Sequence, residues 1–215
     1  MVKVAPTFRG QLFIWTDVDP AHEPDFNRWY DREHMQERMG IPGFVRARRF
    51  RSLVDGPRRY LALYDTESLA VFRSSGYQRA FAQQTEWSRR NFTRMRDTQR
   101  RVGELTVDEG MGEGGALALF VFADPDRSGA RLAQNFRDTV ERDHVIRATL
   151  LETDVDLSAP LSAGAAPARA DRVAMVEATD GDAAFDAADN LARQLAVDVQ
   201  DGGVHVFRSL WRLCR

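Results

Sequence analysis

The segment Asn27-Arg28-Trp29-Tyr30-Asp31-Arg32-Glu33-His34 brings aromatic and ionisable side chains together within about two helical turns. An imidazole, with an ordinary pKa of about 6.5, is the natural proton carrier at neutral pH, and a neighbouring carboxylate could fix its tautomer or raise its pKa. A tyrosine hydroxyl one turn away could donate a hydrogen bond to a developing oxyanion. We therefore predict acid–base catalysis, and the candidate catalytic residues are His34, Tyr30, Glu33 and Asp31.

Aromatic side chains in and around this segment could form the apolar walls of a small-molecule pocket. Such walls suit a ring-shaped substrate, whereas packing in the protein core is the alternative for each residue. The candidate substrate-binding residues are Trp15, Trp29, Tyr60, Tyr64 and Trp87.

A helix is predicted here, because two aromatic residues and Glu33 follow Phe26 with the i, i+3, i+4, i+7 spacing of one helical face. On a regular helical wheel Glu33 and Glu37 lie within about 20° of Phe26, whereas His34 lies about 80° away. An unpaired buried carboxylate costs several kcal/mol. We therefore expect this end of the helix to face a polar cavity or water, with a carboxylate close to His34.

A second Arg–acid–His sequence, Arg142-Asp143-His144, corresponds to Arg32-Glu33-His34 near the end of the matching helix in the second half of the chain. The matched placement predicts a second, weaker site with His144 and Asp143, and a relic of duplication is the alternative. The second half lacks the aromatic pair of the first. We therefore expect the principal pocket in the N-terminal half.

The chain divides into two similar halves, each of which begins with a nine-residue β-rich run between a Gly and a Pro, at 10–20 and 115–125. Behind each run the pattern predicts helix, strand, strand, helix and strand. We therefore predict an α+β fold of two ferredoxin-like βαββαβ repeats, whose antiparallel sheets pack as a pseudo-dimeric α+β barrel. The predicted repeats cover 1–108 and 115–215, joined by a linker at 109–114.

Three local features are predicted from weaker patterns. A long helical stretch over 68–97 is expected to break at 74–76, where Ser-Ser-Gly interrupts it. The first helix of the second half is expected at about 128–144. The segment 158–170, rich in small residues, is expected to form a mobile loop.

The segment 27–34, followed by Ile41-Pro42-Gly43-Phe44 and an arginine-rich strand, resembles the motif of EthD-like proteins in the dimeric α+β barrel superfamily. The resemblance implies a pocket between the sheet and the first helix. In that superfamily such pockets often serve isomerisation, cyclisation, lyase reactions or cofactor-free oxygenation of hydrophobic, frequently aromatic compounds. The family pattern carries over to Trp29, Tyr30, Asp31 and His34.

The residues and the resemblance together predict a cofactor-independent enzyme that applies general acid–base catalysis to an aromatic or cyclic carbonyl or phenolic compound. A lyase, an isomerase, a cyclase and a dehydratase all fit this chemistry. The first alternative is a small-molecule-binding or assembly protein of the same fold without turnover. The second is a cofactor-free monooxygenase, which would consume O₂. A lone pocket histidine could also ligate haem, and His34 with Glu37 could bind a metal, but we predict neither an organic cofactor nor a metal.

Composition argues against several other classes of protein. The 30 basic and 32 acidic residues give a formal net charge of −2, which disfavours nucleic acid and anionic membranes as partners. No apolar run reaches the length of a membrane span or a signal peptide, so a cytoplasmic location is expected. The single cysteine, Cys214, leaves no intrachain disulfide and no cysteine metal cluster. The expected partner is a small-molecule substrate, and a homodimer is left open.

Overall fold

Each half of the chain folds as a βαββαβ unit in the computed structural model, which describes residues 10–123, 130–159 and 168–215. The first unit contains β1 (Gly10–Val18), α1 (Glu23–Trp29), α2 (Met35–Met39), β2 (Phe44–Ser52), β3 (Tyr60–Thr66), α3 (Ser75–Ala82), α4 (Glu86–Arg94) and β4 (Met95–Gly110). The second contains β5 (Ala116–Phe122), α5 (Ala130–Val140), β6 (Val145–Thr153), β7 (Arg172–Ala178), α6 (Gly181–Leu195) and β8 (Val199–Cys214). The order of elements agrees with the sequence prediction.

The eight strands close into one antiparallel barrel in the order β1-β3-β2-β8-β5-β7-β6-β4. The two units join where β2 pairs with β8 and where β4 pairs with β6, which are equivalent pairs when the units are exchanged. β4 and β8 are long because each pairs with its own unit along one part and with the other unit along the rest. The predicted α+β class and the pseudo-dimeric barrel are therefore confirmed.

Successive residues of a strand face opposite sides of the barrel wall. Residues that face inward form one hydrophobic cluster drawn from both units, and Phe13, Leu63 and Leu117 belong to it. Helices cover the outer face, where a separate cluster of the first unit includes Phe26 and Tyr64. The first helices therefore meet the sheet outside the barrel, as the resemblance implies.

The first helical segment contains a π-helical turn. α1 is followed by the π-helical turn Tyr30–His34 and then by α2 without a break in the helical path. The segment ends at Gly40, and the chain turns back towards β2 at Gly43, where φ is +89°. A Cβ atom on Gly43 would lie 2.6 Å from Cγ2 of Val71, so both the backbone angle and the space require glycine there.

Two predicted helix boundaries are wrong. The helical stretch after β3 breaks at 83–85 rather than at 74–76, because Ser74 accepts a hydrogen bond from the backbone N–H of Tyr77 and caps α3. α5 ends at Val140 rather than near 144. The turn expected at Asp124-Pro125 lies outside the described residues, as does most of the predicted loop 158–170. In the described parts of the chain, no helix is both long and apolar enough to cross a bilayer.

Candidate functional site

The π-helical turn decides which side chains of the first helical segment face the sheet. Such a turn inserts one extra residue into the helix, so each following residue takes the angular position of the one before it. His34 and Arg38 therefore occupy the sheet-facing positions that a regular helix gives to Glu33 and Glu37. Both are 5% exposed. The expectation that this end of the helix meets a polar cavity or water is wrong for this reason.

His34 lies in a closed aromatic box, the name used here for Trp29, Tyr30, Tyr64 and Phe92 around the imidazole. The ring centroids of these four residues lie 4.2, 5.1, 6.3 and 5.5 Å from that of His34, in the same order. Trp29 and Tyr30 come from the first helical segment, Tyr64 from β3 and Phe92 from α4. Helix, sheet and the second helical region of the first unit thus converge on the imidazole.

Burial lowers the pKa of His34 well below its ordinary value of 6.5, and the positive charges of Arg38 and Arg49 lower it further. The imidazole is therefore neutral at neutral pH. Its Nδ1 atom is buried and has no hydrogen-bond partner. A neutral imidazole with an unpartnered nitrogen can accept or donate a proton to a ligand placed in the box.

Two tyrosines of the box retain their hydroxyl protons. Burial, with the neighbouring Tyr30, raises the pKa of Tyr64 well above its ordinary value, and burial also raises the pKa of Tyr30. The Tyr64 hydroxyl is buried and makes no hydrogen bond. It is therefore a second polar group in the box that is free to bind a ligand oxygen.

None of the candidate carboxylates reaches the imidazole. Glu33 accepts a hydrogen bond from the Thr85 hydroxyl at 2.6 Å and so binds the first helical segment to α4. Asp31 accepts from Arg49 at 3.0 Å and from the Trp211 indole at 2.7 Å. The expectation that a carboxylate orients His34 or raises its pKa is therefore wrong, since the carboxylates turn towards other elements.

A cleft of about 190 Å³ lies on the other side of Tyr30 from His34. The guanidinium of Arg49 packs 4.3 Å from the Tyr30 ring centroid and donates to the Asn27 side chain at 2.6 Å. Both units contribute to the cleft, which is lined by Asn27, Asp31, Arg49, Arg51, Tyr60, Leu210 and Trp211. Tyr30 and Arg49 thus separate this cleft from the aromatic box.

The structure brings only part of the predicted substrate-binding set together. Trp29 and Tyr64 lie in the box, and Tyr60 borders the cleft. Trp15 faces the barrel interior, where its indole donates to the carbonyl of Arg58 at 2.7 Å. Trp87 is partly buried on α4 and donates to Asp25. Placing Trp15 and Trp87 at the His34 site is therefore wrong, because they face away from it.

The second predicted site has no comparable surroundings. Arg142, Asp143 and His144 follow α5 in an exposed turn, and His144 has a φ of +67°. Neither cleft found in the described residues includes them. His34 and His144 therefore do not occupy equivalent positions, whereas the expected asymmetry between the two halves agrees with the structure.

Arg38 is a site residue that the sequence analysis missed. It belongs to α2, one turn after His34, and its guanidinium packs 4.7 Å from the Phe81 ring centroid. The i, i+4 spacing from His34 was the available signal, because residues four apart share a helical face. That signal becomes visible only when His34 itself is known to face the sheet.

Solved structures with the same overall backbone include three with related descriptions. An anthrone oxidase-like protein superposes with a TM-score of 0.65 at 11% sequence identity, over 97% of this chain and 93% of that one. For a candidate monooxygenase from Fusobacterium nucleatum subsp. nucleatum the values are 0.57, 7%, 99% and 96%. For a variant of the chlorite dismutase of Candidatus Nitrospira defluvii they are 0.56, 9%, 96% and 93%. These likenesses establish the dimeric α+β barrel fold. No protein-family model and no curated protein sequence matches the chain.

The residues around His34 do not fit a haem. Haem chemistry is implied for some proteins of this fold, and a histidine ligand would need open space beside its ring for the macrocycle. Here the rings of Trp29 and Phe92 occupy that space, at 4.2 and 5.5 Å from the imidazole. In the described residues no three His, Cys, Asp or Glu side chains group in a way that could hold a metal ion.

Proposed function

We propose that this protein is an enzyme that removes a proton from an aromatic or cyclic carbonyl or phenolic compound in the aromatic box, without an organic cofactor. The proposal rests on two buried polar groups of the box, Nδ1 of His34 and the hydroxyl of Tyr64, which have no hydrogen-bond partner. Leaving a buried polar group unpaired costs about 1–3 kcal/mol. A ligand with a transferable proton and a carbonyl or phenolic oxygen would supply both partners.

The charges around the box support removal of a proton by His34. The pKa of His34 is held low by burial and by Arg38 and Arg49, so the imidazole is in the form that accepts a proton. The same two cations favour the negative charge that develops on the substrate as the proton leaves. The Tyr64 hydroxyl, which stays protonated, is suited to donate a hydrogen bond to that charge.

Ligand access requires a side chain of the box to move, because the box is filled in this structure. Phe92 is only partly buried, whereas Trp29, Tyr30 and Tyr64 are at most 2% exposed. The proposal therefore assigns the movable wall to Phe92, at the outer side of the box on α4.

A cofactor-free monooxygenase is the second candidate function. It is favoured by the shared fold of an anthrone oxidase-like protein and a candidate monooxygenase. The first step is the same in both candidates, since an aromatic ketone that has lost a proton next to its carbonyl is the electron-rich form that reacts with O₂. The two differ in whether O₂ is consumed together with the substrate.

The test uses anthrone and a panel of related cyclic ketones in D₂O without oxygen, with hydrogen–deuterium exchange at the acidic carbon followed by NMR. We expect the wild-type protein to accelerate exchange and His34→Gln to lower that acceleration by about 10² to 10⁴. His144→Gln is the matched control, because His144 lies on an exposed turn. Equal exchange by wild type and His34→Gln would contradict the proposal, and binding without any exchange would favour the non-catalytic alternative. Repeating the reaction with oxygen, using an O₂ electrode, tests the second candidate.

A further inference from the structure

Arg38 is a buried cation without a counter-ion. It is 5% exposed, and in the part of the chain that the structure describes it makes no hydrogen bond and no ion pair. Its contact is with the face of the partly buried Phe81 ring, 4.7 Å from the guanidinium carbon. A cation–π contact gives about 0.5–2 kcal/mol. Removing a charge from water costs several kcal/mol, so this contact leaves the cation under-compensated.

The other buried arginines of the described residues show how this protein otherwise treats such charges. Each of them contacts a carboxylate at 3.0 Å or less, in the pairs Arg46–Asp65, Arg48–Glu177, Arg49–Asp31, Arg101–Asp171 and Arg147–Asp108. Arg38 departs from this rule. An uncompensated buried charge indicates a partner that arrives with a ligand.

The position of Arg38 identifies where that partner would be bound. Arg38 follows His34 by one turn of the same helical path, and its charge lowers the pKa values of His34, Tyr30 and Tyr64. The neighbouring Glu37 is exposed and turned away from the sheet. The cation therefore acts on the aromatic box rather than on solvent or on its own helix.

We propose that Arg38 binds an anionic oxygen of the ligand, so that the aromatic box selects aromatic compounds that carry a carboxylate or a phenolate. The planar guanidinium offers paired N–H donors that match a carboxylate. Aromatic walls then bind the ring, and Arg38 fixes its orientation by the charged group. This inference uses the box of the proposed function but does not require turnover.

Matched pairs of ligands separate charge from shape. Benzoate, 2-naphthoate and 9-anthroate would each be compared with the corresponding carboxamide, and dissociation constants measured by calorimetry at fixed ionic strength. We expect at least one carboxylate to bind more tightly than its amide. Arg38→Gln should weaken that carboxylate by about 10- to 100-fold, from the 1.5–3 kcal/mol of a charged hydrogen bond, and leave the amide unchanged. Arg38→Lys should retain part of the preference.

Arg32→Gln is the control for net charge, because Arg32 is exposed on the same helical segment. Equal weakening by Arg32→Gln would mean that long-range attraction, not a contact, causes the preference, and would overturn the inference. Binding of no carboxylate at millimolar concentration would also overturn it, as would equal loss of carboxylate and amide in Arg38→Gln.

Folding and catalysis are read separately. Arg38→Met should unfold at the same temperature as wild type or higher, since it removes an uncompensated charge. A lower unfolding temperature, with both ligands lost, would assign Arg38 to stability alone. Selective binding of carboxylates without any turnover would refute the proposed catalysis and leave this inference standing. Turnover of neutral ketones at the same rate in Arg38→Gln, with no carboxylate preference, would do the reverse.

Discussion

The indole ring of Trp29 lies 4.2 Å from the imidazole ring of His34, centroid to centroid, with 33° between the two planes. The indole Nε1 donates a hydrogen bond to the hydroxyl of Ser88 at 3.0 Å, so α4 fixes the surface against which the imidazole packs. Trp29 has no exposed surface, and it keeps water from that side of His34. The low pKa of His34 therefore depends on packing supplied by the first helical segment, α4 and the sheet.

Protein stability should depend on the titration of His34. The folded pKa is below the unfolded value of 6.5, so the unfolded chain binds more protons as the pH falls below 6.5. The free energy of unfolding should then fall by up to about 1.4 kcal/mol per pH unit until the folded pKa is reached. Denaturant unfolding of wild type and His34→Gln between pH 7.5 and about 5 measures this, and the difference between the two curves isolates His34 from other groups. A difference that does not change with pH would show that His34 is not held neutral by the fold.

Ser88 should stabilise the box through Trp29. Ser88→Ala removes the acceptor of a buried indole N–H, and we expect a loss of about 1–3 kcal/mol in the free energy of unfolding. Thr93→Ala on the same helix is the control, because Thr93 is exposed, and it should change stability by less than about 0.5 kcal/mol. Equal effects of the two substitutions would mean that this hydrogen bond does not hold Trp29.

The buried pair Arg48–Glu177 should be important for joining the two units. Arg48 lies on β2 and Glu177 on β7, and their charged atoms are 2.6 Å apart. Glu177→Gln leaves Arg48 without its nearest counter-ion, so we expect a loss of about 3–5 kcal/mol. Asp189→Asn, which breaks the exposed pair with Arg193, should cost about 0.5 kcal/mol or less. Similar losses in thermal or denaturant unfolding would contradict this account of the barrel interior.

Truncation of Phe92 should open the aromatic box. In the wild-type protein His34 is 5% exposed and should react slowly with diethyl pyrocarbonate, whereas the exposed His144 should react fast. Phe92→Ala should raise the modification rate of His34 several-fold relative to His144 in the same sample, as measured by peptide mass spectrometry. An unchanged ratio would mean that Phe92 is not the wall that a ligand displaces.

The architecture could be predicted from the sequence because duplication leaves a simple signal. Two β-rich runs of the same length, at 10–20 and 115–125, precede the same order of elements. The length of β4 could not be predicted in this way. Its extra residues pair partly with β1 and partly with β6, so its bounds depend on contacts between the two units rather than on local pattern.

The site could be predicted only in part, for two physical reasons. The π-helical turn at Tyr30–His34 shifts the register by one residue, and periodicity arguments assume a constant period. They therefore place Glu33 against the sheet where His34 lies. In β1 the residues on both faces are apolar, with Leu12 outside the barrel and Trp15 inside, so polarity gave no sign of which face Trp15 takes.

The pH dependence of catalysed exchange, combined with an NMR titration of His34, tests the central claim most directly. If neutral His34 removes the proton, kcat/KM for deuterium exchange into anthrone should rise with pH and level off. Its inflection should coincide with the pKa of His34 measured from the imidazole resonances, and both should lie below 6.5. An inflection unrelated to the titration of His34, or a measured pKa of His34 at or above 6.5, would contradict the account.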